Sequence, residues 1–146
     1  MDFSFEPARA GDLDALAELR IAAMRDSLER IGRFDPARAR ERLAAGFSPA
    51  HTRHIVVDGR RVGFVVVKPQ ADGLLLDHLY LHPMAQGRGL GGAVMAEVLR
   101  DADARSVPVR VGALRDSAAN GFYARHGFRK TGETEFDVQY ERPAAP

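Results

Sequence analysis

The 146-residue chain has no cysteine, which excludes disulfides, thiolate metal sites and a cysteine nucleophile. It also lacks any apolar run long enough to span a bilayer, and its opening Met1-Asp2-Phe3-Ser4-Phe5-Glu6 is without the basic start of a secretory signal. A cytoplasmic protein with no membrane partner is the expectation. There is no excess of charge of either sign: the formal net charge is +1, too little to neutralise a run of phosphates, so no nucleic-acid partner is expected. Lysine is scarce, occurring only at Lys68 and Lys130 against nineteen arginines spread along the chain. His51, His54 and His126 fall at no metal-ligand spacing, and no metal site is expected.

What is present has the balance of a globular protein, with 45% hydrophobic and 28% charged residues. The length suits one domain spanning residues 1–146. Phe3 to Ala8 reads as a short edge strand that meets Pro7. A helix follows from Asp12 to about Arg30, with Asp12 as its cap and Leu13, Leu16, Ala17 and Met24 as its buried stripe. Arg20 falls on that stripe, where a snorkelling stem is expected ahead of a substrate-binding role. Asp35-Pro36 restarts a helix that ends at Gly46, because a carboxylate cap precedes proline at the first helical position.

His51 to Val57 and Val62 to Val67 are β-branched runs about Asp58-Gly59-Arg60-Arg61, a hairpin signature. Pro69 to Gly73 turns the chain into a third antiparallel partner, Leu74 to Leu81. A helix from about Arg88 to Ala102, a strand at Val107 to Val111, a helix from about Ser117 to His126 capped by Asp116 or Ser117, and strands near Phe128 to Thr131 and Phe136 to Tyr140 complete the order. Pro143 to Pro146 reads as a frayed tail. The sum is an α/β fold with a mixed, mainly antiparallel central sheet and helices on both faces.

The stretch Asp77-His78-Leu79-Tyr80-Leu81-His82-Pro83-Met84-Ala85-Gln86-Gly87-Arg88-Gly89-Leu90-Gly91-Gly92 carries an apolar strand through a proline turn into a glycine-dense helix start. Bare glycine backbone lets successive N–H groups point at one ligand with the positive end of the helix dipole behind them, which suits a phosphate or pyrophosphate. Gly87-x-Gly89-x-x-Gly92 matches the dinucleotide fingerprint as a bare pattern, with Asp116 beyond the next strand as the ribose acid. There, however, the first glycine comes directly off the strand, whereas Pro83-Met84-Ala85-Gln86 intervene here. Close helix packing alone accounts for one or two of these glycines, not four.

Gln86-Gly87-Arg88-Gly89-Leu90-Gly91, reached through Leu79-Tyr80-Leu81-His82-Pro83, resembles the acetyl-coenzyme A signature of the GNAT superfamily of N-acetyltransferases. Ala119, Phe122, Tyr123, Gly127 and Phe128 are similar to that family's closing motif, with Asp116 standing where the family usually has Asn and Asn120 one turn later. The resemblance covers nearly the whole chain. It implies that the amides of Gln86, Gly87, Arg88, Gly89, Leu90 and Gly91 hold the coenzyme pyrophosphate, with Gly92 also a coenzyme-binding residue. It also implies that the backbone groups of Leu79 and Leu81 pair with the pantetheine amides, that Tyr80 between them is among the coenzyme-binding residues, and that Asp116, Asn120 and Phe122 border the coenzyme arm. Tyr123 falls at the position of the general acid that protonates the departing thiolate.

Direct acetyl transfer needs a neutral amine, support for the developing oxyanion and a proton for the thiolate. An alkylamine with a pKa near 10.4 is neutral in only about one molecule in two thousand at pH 7, so a base is useful. Asp77 resembles the acid that some members place on this strand, and His78 has the better intrinsic pKa. The two alternate on the strand and cannot face one site. The expected function is an acetyl-coenzyme A-dependent N-acetyltransferase acting on a primary amine; the alternative is a non-catalytic acyl-coenzyme A sensor. The arginine-rich break from Arg30 to Asp35 favours an acceptor carrying a carboxylate, with Arg25, Arg30 and Arg33 in view. A homodimer seam is expected at the end strand Phe136 to Tyr140.

Overall fold

The computed structural model describes residues 2–145. Its elements are strand β1 (Ser4–Pro7), helices α1 (Leu13–Arg30) and α2 (Pro36–Ala45), strands β2 (Thr52–Val57), β3 (Arg60–Gln70) and β4 (Gly73–Leu81), helix α3 (Leu90–Arg105), strand β5 (Val109–Leu114), helix α4 (Ala119–Arg125), and strands β6 (Arg129–Glu133) and β7 (Asp137–Arg142). The seven strands form one sheet in the order β1-β2-β3-β4-β5-β7-β6. It is mixed and mostly antiparallel: the β4–β5 pair is parallel, as a helical crossover between them requires.

The chain gathers into two compact units. The first comprises the chain up to Val66 together with His78–Gly91; the second comprises Val67–Asp77 and the chain from Gly92. In the first, one face of β3 and β4 is roofed by α1 and α2. Leu16, Ala17, Leu43, Phe64 and Val66 are fully buried there, and Tyr80 packs against them. Asp35 caps α2 by accepting from the Arg38 N–H at 3.1 Å, and Gly46 ends it. Gly63 lets β3 approach β4 closely: a methyl added there would lie 2.5 Å from the Tyr80 carbonyl oxygen and 2.7 Å from a Leu81 methyl.

In the second unit, β7 pairs antiparallel with both β5 and β6, and Val109, Val111, Ala113, Tyr123, Phe128 and Val138 are buried. Asn120 is its polar hub. Its Nδ2 donates to the carbonyls of Leu114 and Ser117 at 2.9 and 3.0 Å, and its Oδ1 accepts from the Tyr140 hydroxyl at 2.8 Å.

Several expectations are corrected. The Phe136–Tyr140 segment is no end strand, because β7 lies between β5 and β6 and the sheet ends at β1 and β6. The expected dimer seam therefore has no free edge there. Asp12 does not cap α1 with its side chain. Its carboxylate instead accepts from the Arg9 N–H and His54 Nε2, each at 2.9 Å. Neither Asp116 nor Ser117 caps α4: the cap position falls on Ala118, and the Ser117 hydroxyl donates to the Leu114 carbonyl.

Arg20 does not snorkel, being only 7% exposed. Pro69 lies within β3 and not in a turn, and the β2–β3 turn shortens to Asp58-Gly59. Helix α3 begins at Leu90, and β5 at Val109. Of the expected tail, Pro146 lies outside the described residues, and Pro143 to Ala145 follow β7 without regular structure.

Two outcomes follow from this packing. Gly63→Ala is expected to lower stability in urea titration by about 1–3 kcal/mol, since a carbonyl of β4 must move. Gly11→Ala, with nothing within 4 Å of the added methyl, should change it by under about 0.5 kcal/mol. Asp12 is held below its ordinary value near 3.8, chiefly by the His54 hydrogen bond and next by the Arg9 N–H. Below that value the unfolded chain binds the proton first, so stability falls as pH drops toward the depressed native value. Asp12→Asn is expected to flatten that acid limb of the stability profile.

Candidate active site

The strand-to-helix corner is built in three steps. His82 Nδ1 accepts from the Met84 N–H at 3.1 Å, closing a single 3-10 turn over Pro83–Ala85. The Gln86 side chain then folds back and donates to the Leu81 carbonyl at 2.9 Å. Gly87 and Gly89 adopt φ of 76° and 80°, the left-handed region that a side-chain-bearing residue enters only under strain. These turns hold residues 86–89 out of the helix, which is why α3 starts later than the spacing suggested. The N–H groups of Gly87, Arg88 and Gly89 donate to no backbone carbonyl in the turns and loops among the described residues, and the first turn of α3 leaves further N–H groups without intrahelical partners. The segment is exposed while Leu90 is buried. Exposed N–H groups ahead of a helix start are the kind of feature that suits an anion.

On β4 the alternation of side chains sorts the other candidates. His78 and Tyr80 face α1 and α2. His78 is 5% exposed, with its ring centroid 6.2 Å from that of Phe64 and 5.7 Å from that of Tyr80. Asp77 lies on the opposite face and pairs with Lys68 at 3.1 Å. The backbone alternates likewise. The His82 N–H donates to the Val62 carbonyl on β3, so the N–H and C=O groups of Leu79 and Leu81 point to the other edge. The parallel ladder with β5 covers Leu74–Leu76, and Leu79 and Leu81 lie beyond it. The Leu81 carbonyl accepts from Gln86, and among the described residues the Leu79 groups and the Leu81 N–H lie past the paired stretch with β5.

In the second unit Tyr123 is 7% exposed. Its ring packs 5.6 Å from Phe122, 5.5 Å from Phe128 and 6.1 Å from Tyr140. Asp116 is exposed in a left-handed turn with φ of 68°. Asn120 is committed to its own unit, with both ends of the amide bonded, so it is not free to replace an Asn at position 116. His126 packs 4.6 Å from Phe122 and against Gly92, where an added methyl would meet its ring at 3.5 Å. Its imidazole is held below the ordinary value near 6.5, first by burial and then by the Arg125 charge. Of the other histidines singled out, His54 is bonded to Asp12. Among the described residues no group of three histidine or acidic side chains could hold a metal ion.

Two features escaped the sequence reading. A groove of about 530 Å³ beside the corner is lined by Arg60, Arg61 and Arg88 with His82 and Met84. Arg61 is occupied by Glu6 and Asp12. The hairpin signature carried the positions of Arg60 and Arg61, but not their convergence with Arg88. The second is the burial of Arg20, which the sequence singles out on an apolar helical stripe without showing that its guanidinium is closed in against the Ala39 carbonyl of α2. Arg25, by contrast, is engaged by Glu29 at 3.3 Å and by the Phe34 ring.

Among the described residues no helix is long and apolar enough to cross a membrane. No curated protein sequence matches the chain. Solved structures do. One is the PaiA N-acetyltransferase from Thermoplasma acidophilum in complex with coenzyme A, with a TM-score of 0.75, 17% identity, and coverage of 98% of this chain and 99% of that one. The ribosomal-protein-S18-alanine N-acetyltransferase from Escherichia coli gives 0.73, 16%, 99% and 96%. An acetyltransferase from Thermus thermophilus gives 0.76, 19%, 98% and 97%. At such identities the likeness is one of fold. A family model described as an acetyltransferase (GNAT) domain matches residues 50–130. That segment is more than half of the chain and holds both the glycine corner and α4, and by it the chain belongs to the GNAT acetyltransferase family.

Proposed function

We propose that the protein, acting as one domain, is an N-acetyltransferase that moves an acetyl group from acetyl-coenzyme A directly to a primary amine. The observation that carries this reading is the corner: N–H groups from Gly87 onward, fixed by two left-handed glycines ahead of a helix, match the charge and reach of a pyrophosphate. The backbone groups of Leu79 and the Leu81 N–H, past the paired stretch with β5, suit the pantetheine amides. Coenzyme A in the Thermoplasma structure supports the same choice of ligand.

In the reaction the amine nitrogen attacks the thioester carbonyl, the carbon–sulfur bond breaks, the amine proton passes to a base, and the thiolate takes a proton. We assign the base to His78 in preference to Asp77. His78 shares its face with the residues under α1 and α2, whereas Asp77 carries Lys68 as a counter-charge. Tyr123 supplies the proton to the thiolate, its phenol being matched to a thiolate of comparable basicity.

Two measurements test this. Gly89→Val has room for its side chain but not the required φ, so it is expected to weaken coenzyme A binding by at least about tenfold in calorimetry, the cost of misplacing one charged hydrogen bond. Tyr123→Phe keeps the ring packing and loses the proton. It is expected to lower kcat by about 10²- to 10⁴-fold in a thiol-release assay, with coenzyme A affinity unchanged. Coenzyme A binding with no thiol release on a broad amine panel would contradict the enzyme and leave a sensor.

A further inference from the structure

Arg20 is buried without a counter-ion. Its Nη1 donates to the Ala39 carbonyl of α2 at 2.5 Å, its Nε is buried with no hydrogen-bond partner, and its guanidinium lies 5.4 Å from the centre of the Tyr80 ring. No carboxylate stands within ion-pair distance of it among the described residues. An arginine cannot shed its charge as a buried lysine can, and burying an unpaired cation is costly. One neutral carbonyl and one aromatic face compensate it only in part. The buried His54 ring, by contrast, has an acidic partner in Asp12. Arg20 sits on the face of β4 that carries His78 and Tyr80.

We infer that Arg20 binds a carboxylate of the acceptor, which makes the substrate class an amine that also bears a carboxylate, such as an amino acid. This rests on the N-acetyltransferase reading for the fate of the amine, but not for the binding of the acid. Guanidinium meets carboxylate in a planar fork of paired hydrogen bonds, for which the unpartnered Nε provides one arm. The Tyr80 ring, with its centre 5.4 Å from the guanidinium carbon, borders that fork. Arg20 is then a binding residue whose exposure of charge to the interior is useful only when the acid is present.

The test compares wild type with Arg20→Met on L-amino acids and on their decarboxylated amines, L-leucine with isoamylamine and L-lysine with cadaverine among them. Wild type is expected to favour the acids by about 10- to 100-fold in kcat/KM, the range for a buried charged hydrogen bond. In Arg20→Met the kcat/KM ratio of acid to plain amine should fall toward one, the loss appearing in KM for the acids.

A second readout needs no turnover. Removing an uncompensated buried charge should leave the thermal midpoint of the free protein unchanged or higher, while the stabilisation of coenzyme A-loaded protein by amino acids disappears. If Arg20→Met does not fold, Arg20→Gln takes its place in both arms. Equal use of acids and amines by wild type, or an acid preference that survives in the variant, overturns the inference. Should no amine release thiol, stabilisation by amino acids that depends on Arg20 sustains the carboxylate site and defeats the acetyltransferase reading alone. Absence of that stabilisation defeats the site.

Discussion

A β-strand has two faces and two edges, and each must be accounted for because backbone N–H and C=O groups without partners are costly when buried. In β4 those four surfaces are given to different tasks. One edge holds β3, so tightly that only glycine fits at position 63. The other edge pairs with β5 over Leu74–Leu76 and then carries groups of Leu79 and Leu81 that nothing within the ladder uses. One face places His78 and Tyr80 under α1 and α2, and the opposite face places Asp77 beside Lys68. The strand's alternation, more than any single side chain, decides which residues can act together.

The corner extends the same logic past the end of the strand. Once β4 leaves its ladder the chain must turn, and His82 and Gln86 satisfy the turn from within by bonding Met84 and Leu81. Gly87 and Gly89 then take left-handed φ and keep the exposed segment out of α3. The side chains that hold the turn shut, His82 and Gln86, are distinct from the glycines that bend it, Gly87 and Gly89. In the second unit Asn120 locks Tyr140 to the start of α4, and Tyr123 is wedged among Phe122, Phe128 and Tyr140.

Signals that act within a few residues were legible in the sequence. Asp35-Pro36 and Gly46 bound α2 to the residue, the hairpin about Asp58-Gly59 stands, and the glycine corner lies where its spacing put it. Signals that depend on distant partners were not. Asp12 reads as a helix cap until His54, 42 positions away, takes its carboxylate. Arg20 reads as a snorkelling stem until α2 closes over it. The place of β7 inside the sheet depends on how the β6–β7 hairpin docks onto β5, which no local spacing encodes. Asp116 and Ser117 look like caps by residue type, yet the turn puts Ala118 at the cap.

Amide resonances of the uniformly labelled chain, followed during titration with coenzyme A, test the central claim most directly, because they report the donor groups themselves. The account predicts large shifts at Gly87, Arg88, Gly89 and Gly91, together with the N–H groups of Leu79 and Leu81. Saturation with coenzyme A that leaves those amides unmoved would contradict it.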